Sequence, residues 1–297
     1  MHINRILVTG GSGFIGSHFI RHMLSKYPEV EIVNIDNLST GSLGNLSDLK
    51  NESRYHFVHA DMREREVLDA VVSEGVDVVV NTAGLGFSPF QNDQPYVDAN
   101  VGTLAGLLDY IAKYNSVGGM KVQRFIQLST YEVYGTGKVK DTHVLDPFSR
   151  YAVSKASSDM ECSVRVNDSK IPAIVLRTSE VYGAQQNIHQ GLSALCTQKD
   201  RWLDMKFPYD TYEWLAVQDV ANAIDILIHR GKVGEIYHAG SGEYLSIHHI
   251  QKAIHTGKIP QVSHTPDDYP QVSSADLREL GWKENVTFED AFVEMGR

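Results

Sequence analysis

The sequence predicts an α/β protein built on a doubly wound parallel sheet, with a small substrate lobe towards its C-terminus. Three observations carry that expectation. A β-branched run, Arg5-Ile-Leu-Val-Thr9, leads straight into a glycine turn, Gly10-Gly-Ser-Gly13-Phe-Ile-Gly16, and then into the helical spacing of Phe14, Ile15, Phe19, Ile20 and Met23. Short apolar runs then alternate with amphipathic segments as far as Arg177, which requires right-handed parallel crossovers. Val76–Val80 is continuously apolar, as in strands buried on both faces.

Taken in order, the first strand, turn and helix make a dinucleotide-binding opening of the Rossmann kind. Glycines there let the backbone approach a pyrophosphate, which sits at the helix N-terminus. The spacing is Gly-x-x-Gly-x-x-Gly, so Gly10, Gly13 and Gly16, with Phe14 and Ile15 of the first helical turn, are candidate cofactor contacts. Glu31–Asp36 is a second strand that ends in an acid 20 residues after Gly16. Asp36 can take both ribose hydroxyls and would repel a 2′-phosphate, so NAD is favoured over NADP. The loop Asn37–Leu46, which includes Thr40, carries no Arg or Lys to welcome that phosphate.

Tyr55–His59 reads as the next strand, ending at Asp61-Met62, and Glu64–Val72 as a helix. Val76–Val80 leads into Asn81-Thr82-Ala83-Gly84, and Pro95–Tyr114 is an amphipathic helix containing Asn100. Arg124–Leu128 is a strand, Tyr151–Val166 a helix and Ala173–Leu176 a strand, followed by Arg177-Thr178. Beyond Arg177 the regularity weakens. Gln185–Tyr212 shows a helix at Gly191–Thr197 and no clear strand. Val217–His229 and Ile247–His255 read as helices, Gly234–Ala239 as a strand, and Ser274–Leu280 as a last helix. The expected division is a cofactor domain over residues 1–176, with returns near 215–240, and a smaller substrate lobe over 177–297.

The formal net charge of −10 excludes a basic footprint for nucleic acid. No apolar run approaches the ~18 residues of a membrane span, and the first strand starts too early for a signal peptide. Cys162 and Cys196 are expected to be reduced thiols of a cytoplasmic protein. No Cys/His cluster has metal spacing, and His248-His249 reads as surface, so no metal is expected.

The chemistry centres on Ser129-Thr-Tyr-Glu-Val-Tyr-Gly135 and Tyr151-Ala-Val-Ser-Lys155. The first stretch ends an apolar strand, where ligands bind in open parallel sheets. Tyr151 and Lys155 are four apart and share a helix face. A cation near a phenol lowers its pKa from about 10 towards working pH. Thr130, Tyr131 and Glu132 add a hydroxyl, a phenol and a second acid/base group.

With these residues in place, the chain resembles the extended short-chain dehydrogenase/reductases that act on nucleotide sugars. The resemblance spans nearly the whole length: Thr9–Gly16, Asp36-Asn-Leu38, Asp61-Met62, Asn100-Val-Gly-Thr103, Tyr151-x-x-x-Lys155, Leu176-Arg177 and Leu280-Gly-Trp282. It implies NAD as cofactor, with Asn37, Thr40, Asp61, Met62, Thr82, Ala83, Gly84, Asn100 and Thr178 joining the cofactor site beside Tyr151 and Lys155. It also implies a homodimer, through a four-helix bundle of Pro95–Tyr114 and Tyr151–Val166 from each subunit. The 129–135 stretch looks like the Ser-Thr-Asp-Glu-Val-Tyr-Gly of dTDP-glucose 4,6-dehydratases and the Ser-Thr-Ser-Glu of UDP-glucuronate decarboxylases. UDP-glucose 4-epimerases usually have a small uncharged residue at the Glu position.

The resemblance therefore implies a lyase acting by transient oxidation. Tyr151, with Lys155 and Thr130, removes a sugar hydroxyl proton at C4; Glu132 takes the C5 proton; water leaves; NAD is regenerated. A 4-epimerase or a decarboxylase is the alternative within the family, and a non-catalytic NAD-binding regulator the alternative outside it. Three positions depart from the pattern: Tyr131 stands at the dehydratase Asp, Glu180 at the substrate-facing Asn, and Tyr212 at the diphosphate-clamping Arg. A later Arg of the nucleotide pocket is replaced in the region of Asp267-Asp268. Glu180 and Tyr212 are then the expected substrate contacts. The substrate is then expected to carry less phosphate than a dinucleotide sugar, or to present it to Lys199, Arg201 or Lys206.

Overall fold

A computed structural model describes residues 2–90, 94–117, 121–256 and 269–290. Seven parallel strands form the main sheet. In chain order they are β1 (Arg5–Thr9), β2 (Glu31–Asp36), β3 (Tyr55–His59), β4 (Val78–Asn81), β5 (Arg124–Thr130), β6 (Ala173–Thr178) and, after two strands of a second sheet, β9 (Ile236–Ala239). Their spatial order is β3-β2-β1-β4-β5-β6-β9. The winding direction reverses between β1 and β4, so the carboxyl ends of those strands open a crevice.

Helices cover both faces, as continuously apolar strands require. On one face α1 (Phe14–Lys26) and α6 (Val217–Arg230) bury Phe19, Ile20, Ile224 and Leu227 against β1, β5 and β6. On the other, α2 (Arg65–Ser73) and α3 (Thr103–Ser116) bury Leu68, Leu107 and Ile111 against Leu7, Val79 and Phe125. α4 (Arg150–Asp168) packs beside α3, and its N-cap Ser149 accepts from the Ala152 amide at 2.9 Å. The helix expected from Pro95 is interrupted by a π-turn at Asp98–Gly102.

The lobe is a second, three-stranded sheet that sequence periodicity does not reveal. β7 (Glu180–Tyr182) pairs in parallel with β8 (Thr211–Ala216), and β10 (Tyr244–Ser246) runs antiparallel to β8. α5 (Gly191–Thr197) and α7 (Ile247–Thr256) cover an aromatic core of Tyr182, Tyr209, Tyr212, Trp214 and Tyr269. β8 was hidden because it is buried along nearly its whole length and carries Glu213 in its middle, so no alternation marks it. After α8 (Ala275–Glu279), Trp282 returns to the main core, and its indole donates to the Asp219 carbonyl at 3.0 Å. The region of Asp267-Asp268 lies outside the described residues.

One buried polar network ties these layers together. Arg177 on β6 donates from Nε to Asp159 of α4 at 2.8 Å, both side chains being almost fully buried. Ser129 donates to the same carboxylate oxygen at 2.9 Å. Arg177 also donates from Nη1 to the Tyr134 hydroxyl. Tyr134 is left to donate to His238 Nε2 at 2.6 Å. Burial, with Arg177 nearby, holds His238 down at about 3, so Nε2 is free to accept. Arg177→Met should cost ~3–5 kcal/mol by stranding Asp159, whereas Arg177→Met with Asp159→Leu should cost clearly less. Urea unfolding checks this, and equal losses would contradict it.

Candidate active site

The crevice at the carboxyl ends of β1, β4, β5 and β6 is a cleft of about 890 Å³. Its glycine turn is dictated by close approach. A Cβ on Gly16 would lie 2.6 Å from Gly11 Cα, and Gly10 adopts φ +70° with Ala83 backbone 2.6 Å from its Cβ position. Gly13 caps α1 without a side-chain hydrogen bond, which leaves the first-turn amides without a side-chain cap, and that turn, Phe14 to Gly16, lines the cleft. That cradle, its open helix terminus and an acid at the end of β2 fit a dinucleotide.

Gly10, Gly13, Phe14, Ile15 and Gly16 line the cleft, as do Asp36, Asn37 and Thr40 at the end of β2. Asp36 accepts from the Ser12 amide at 2.9 Å and the Leu38 amide at 2.8 Å, which fixes its carboxyl at the rim. Asp61, Met62, Thr82, Ala83, Gly84 and Thr178 line it too. The register explains part of this: Thr130 at the end of β5 stands directly across from Thr178 on β6.

Thr130, Glu132, Tyr151, Lys155 and Glu180 converge at the inner end of the same cleft. Thr130 caps the turn Tyr131–Tyr134, its hydroxyl accepting from the Glu132 amide at 3.2 Å. Lys155 donates to the Leu128 carbonyl at 2.5 Å, and burial pulls its pKa below the usual lysine range. Tyr151 does not have the lowered pKa that its spacing to Lys155 suggests. Burial first, then Glu132 and Glu180, push the phenol well above its ordinary value, and the ammonium is occupied by the Leu128 carbonyl.

Glu132, which is buried, and Glu180, which is half-buried, both line the cleft. Glu132 is 5 % exposed, and one of its oxygens, Oε2, has no hydrogen-bond partner. Burial, and next the neighbouring Glu180, push it up to about 8, with Ser149 opposing. Burial pushes Glu180 up to about 7. Both carboxyls can therefore exchange protons near neutral pH.

Three expected site residues fall elsewhere. Tyr131 is fully buried beneath the cleft, its hydroxyl turned towards Ser274 at 3.4 Å, because the turn sends it opposite to its neighbours. Asn100 clamps the loop after β4, accepting from the Leu85 amide at 2.7 Å and donating to Leu85 O and to Ser154 Oγ. It therefore shapes the cofactor pocket without lining it. Tyr212 is packed in the lobe between Tyr209 and Trp214.

Lys199, Arg201 and Lys206 also stay out of the cleft; Arg201 stacks over Phe90 at 4.3 Å. Among the described lining residues the cations are Lys155 and Arg63, and Arg63 is paired with Asp61 at 2.8 Å. Reading by motif missed Arg63 and the segment Gln185–Gly191, which forms one wall. It also missed Tyr96, whose ring lies 5.7 Å from Tyr151. Spacing gives no cue to contacts made by loops. Among the described residues no group of His, Cys, Asp or Glu is arranged to hold a metal.

Fold and cleft together define a dinucleotide-binding α/β protein with a tyrosine–lysine pair and acids at one end. The model of the NAD dependent epimerase/dehydratase family matches residues 6–240, and the chain belongs to that family. It is 30% identical over 302 residues to the low-salt glycan biosynthesis protein Agl12 of Haloferax volcanii, covering 96% of this chain and 95% of that one. The structure of dTDP-glucose 4,6-dehydratase from Bacillus anthracis in complex with NAD superposes with a TM-score of 0.83 at 31% identity, over 98% of this chain and 94% of that one. UDP-glucose 4-epimerase of Thermus thermophilus in complex with NAD gives 0.79 at 26%, over 98% and 97%.

Glu132 ordinarily titrates near 4.5, and burial raises it to about 8. Stability that is present below the ordinary value is therefore lost as pH rises through the raised one. Glu132→Gln removes that loss. The thermal midpoint of the variant should match the parent near pH 4.5 and exceed it by at least about 2 °C at pH 8. A difference independent of pH would contradict the burial of an ionisable Glu132.

Proposed function

We propose that the protein is an NAD-dependent dehydratase of nucleotide sugars, oxidising the sugar at C4, removing the C5 proton and eliminating water, with the cofactor regenerated. The observation that carries this reading is the unpartnered buried oxygen of Glu132, in the same cleft as Thr130, Tyr151 and Lys155. Oxidation and reduction at one carbon need the last three alone; a carboxyl beside them adds a base for a neighbouring C–H. The likeness to dTDP-glucose 4,6-dehydratases, including the Bacillus anthracis structure, supports the same choice.

NAD, when bound, supplies the hydride acceptor and a positive charge. Gly10, Gly13, Gly16 and the α1 terminus would hold its pyrophosphate, and Asp36 a ribose. Thr130 and Tyr151 would bind the hydroxyl to be oxidised, with Tyr151 taking its proton and Lys155, together with the positive charge of bound NAD, offsetting the burial and acids that raise the phenol in the free protein. A ketone at C4 acidifies C5–H, and Glu132 takes that proton in its ionised form. The substrate-facing wall offers His189 and Gln190 rather than free cations. A sugar nucleotide would therefore be held there by amide and ring hydrogen bonds.

The protein incubated in deuterium oxide with a panel of nucleoside mono- and diphosphate sugars should lose one water from its substrate and place solvent deuterium on carbon. Glu132→Gln should lower turnover ~100-fold or more. Mass spectrometry distinguishes the outcomes. An unchanged formula with a new stereoisomer would make it a 4-epimerase, and NAD binding without turnover a regulator.

The dimer implied by family resemblance would use the outward faces of α3 and α4. On α4, Val153, Met160 and Val164 are all exposed, and they recur along one face. Sedimentation equilibrium should give twice the chain mass, and Met160→Glu with Val164→Glu should return it to one. A parent protein that sediments as a monomer would contradict this.

A further inference from the structure

Elimination of water needs an acid at the departing oxygen as well as a base at the carbon. The catalytic loop does not offer one. Tyr131, between Thr130 and Glu132, is turned into the lobe, where its hydroxyl meets Ser274. A second carboxyl nevertheless lies in the cleft. Glu180 is the first residue of β7, held in place by pairing with Trp214 of β8.

Its carboxyl occupies a space kept open by a glycine. A Cβ on Gly191 would come within 2.5 Å of Glu180 Oε1, and Gly191 adopts φ +44°. No hydrogen bond to a described residue holds the Glu180 carboxyl, and Oε2 of the buried Glu132 facing the same cleft is also unpartnered. The two acids come from different elements, one on the loop after β5 and one on β7. They flank a common space with Tyr151.

We propose that Glu180 is the general acid of the elimination, replacing in function the acid that the Tyr131 position lacks. This rests on the dehydratase reading. The atoms balance as follows. Glu132 takes the C5 proton, and the C–H electron pair becomes the C5=C6 π bond. The C6–O bond breaks, and its oxygen leaves as water with the proton of Glu180. Hydride returns to C6, and Glu132 gives its proton back to C5. The proton that Tyr151 takes from the C4 hydroxyl equals the one Glu180 gives up, so one water is the net loss. Burial raises both carboxyls towards neutrality, so each can take up or release a proton there; the roles follow from position, Glu132 beside Thr130 on the loop after β5 and Glu180 at the start of β7.

The test compares Glu180→Gln with Glu132→Gln on dTDP-glucose in deuterium oxide, following reduced cofactor, deuterium at C5 and loss of water separately. Glu180→Gln should still oxidise the sugar and exchange C5–H, while water loss slows ~100-fold or more. Glu132→Gln should oxidise but not exchange. With dTDP-6-deoxy-6-fluoroglucose, whose fluoride leaves with less protonation, Glu180→Gln should recover most of its rate; a merely structural defect would not. Glu180→Asp, and retained NAD binding, check the fold. Dehydration by Glu180→Gln at the parent rate, loss of C5 exchange in that variant, or no rescue by the fluoro sugar would each overturn the assignment. No turnover of any panel sugar by the parent would instead overturn the dehydratase reading, and the assignment with it.

Discussion

The buried ion pair between Arg177 and Asp159 is the constraint on which the rest of the site depends. It joins β6 to α4, and Ser129 adds the end of β5 to the same carboxylate. Asp159 lies one helical turn beyond Lys155, so the pair also sets the rotation of the helix that carries Tyr151 and Lys155. Through Tyr134 and His238 it reaches the turn after Thr130 and the edge strand β9. A charge pair so deeply buried adds little net stability over an apolar replacement, but it tolerates few geometries. Here that intolerance fixes the relative positions of three elements whose ends form the reaction site.

The cleft built on this frame has an uneven electrostatic character. Its outer end is shaped by glycines and an open helix terminus, which favour an anionic pyrophosphate. Its inner end gathers acids, and the lining cations among the described residues are already engaged, Lys155 by the Leu128 carbonyl and Arg63 by Asp61. Placing one buried and one half-buried carboxyl there without a free cation raises their pKa values and leaves them able to exchange protons near neutrality. The same burial destabilises the free protein at alkaline pH, a cost that functional sites commonly carry.

Much of the main sheet was legible because its strands are long apolar runs and its helices amphipathic. The second sheet was not. β7 and β10 are only three residues long, and β8 is buried on both faces, so neither length nor alternation marks them. Candidate residues on strand ends and glycine turns line one cleft. The failures share one cause: side-chain direction is set by backbone features that composition does not reveal. The turn after β5 points Thr130 and Glu132 into the cleft and Tyr131 away from it. The π-turn before α3 aims Asn100 at the Leu85 backbone, and pairing within the lobe sheet buries Tyr212.

The central claim is that hydride leaves one sugar carbon and returns to another. It is tested most directly with dTDP-glucose carrying deuterium at C4, turned over in ordinary water, with the product read by NMR and mass spectrometry. The expected result is a dehydrated product that retains the label at C6, with no reduced cofactor accumulating. Label returned to C4 in an isomer of unchanged formula would contradict it.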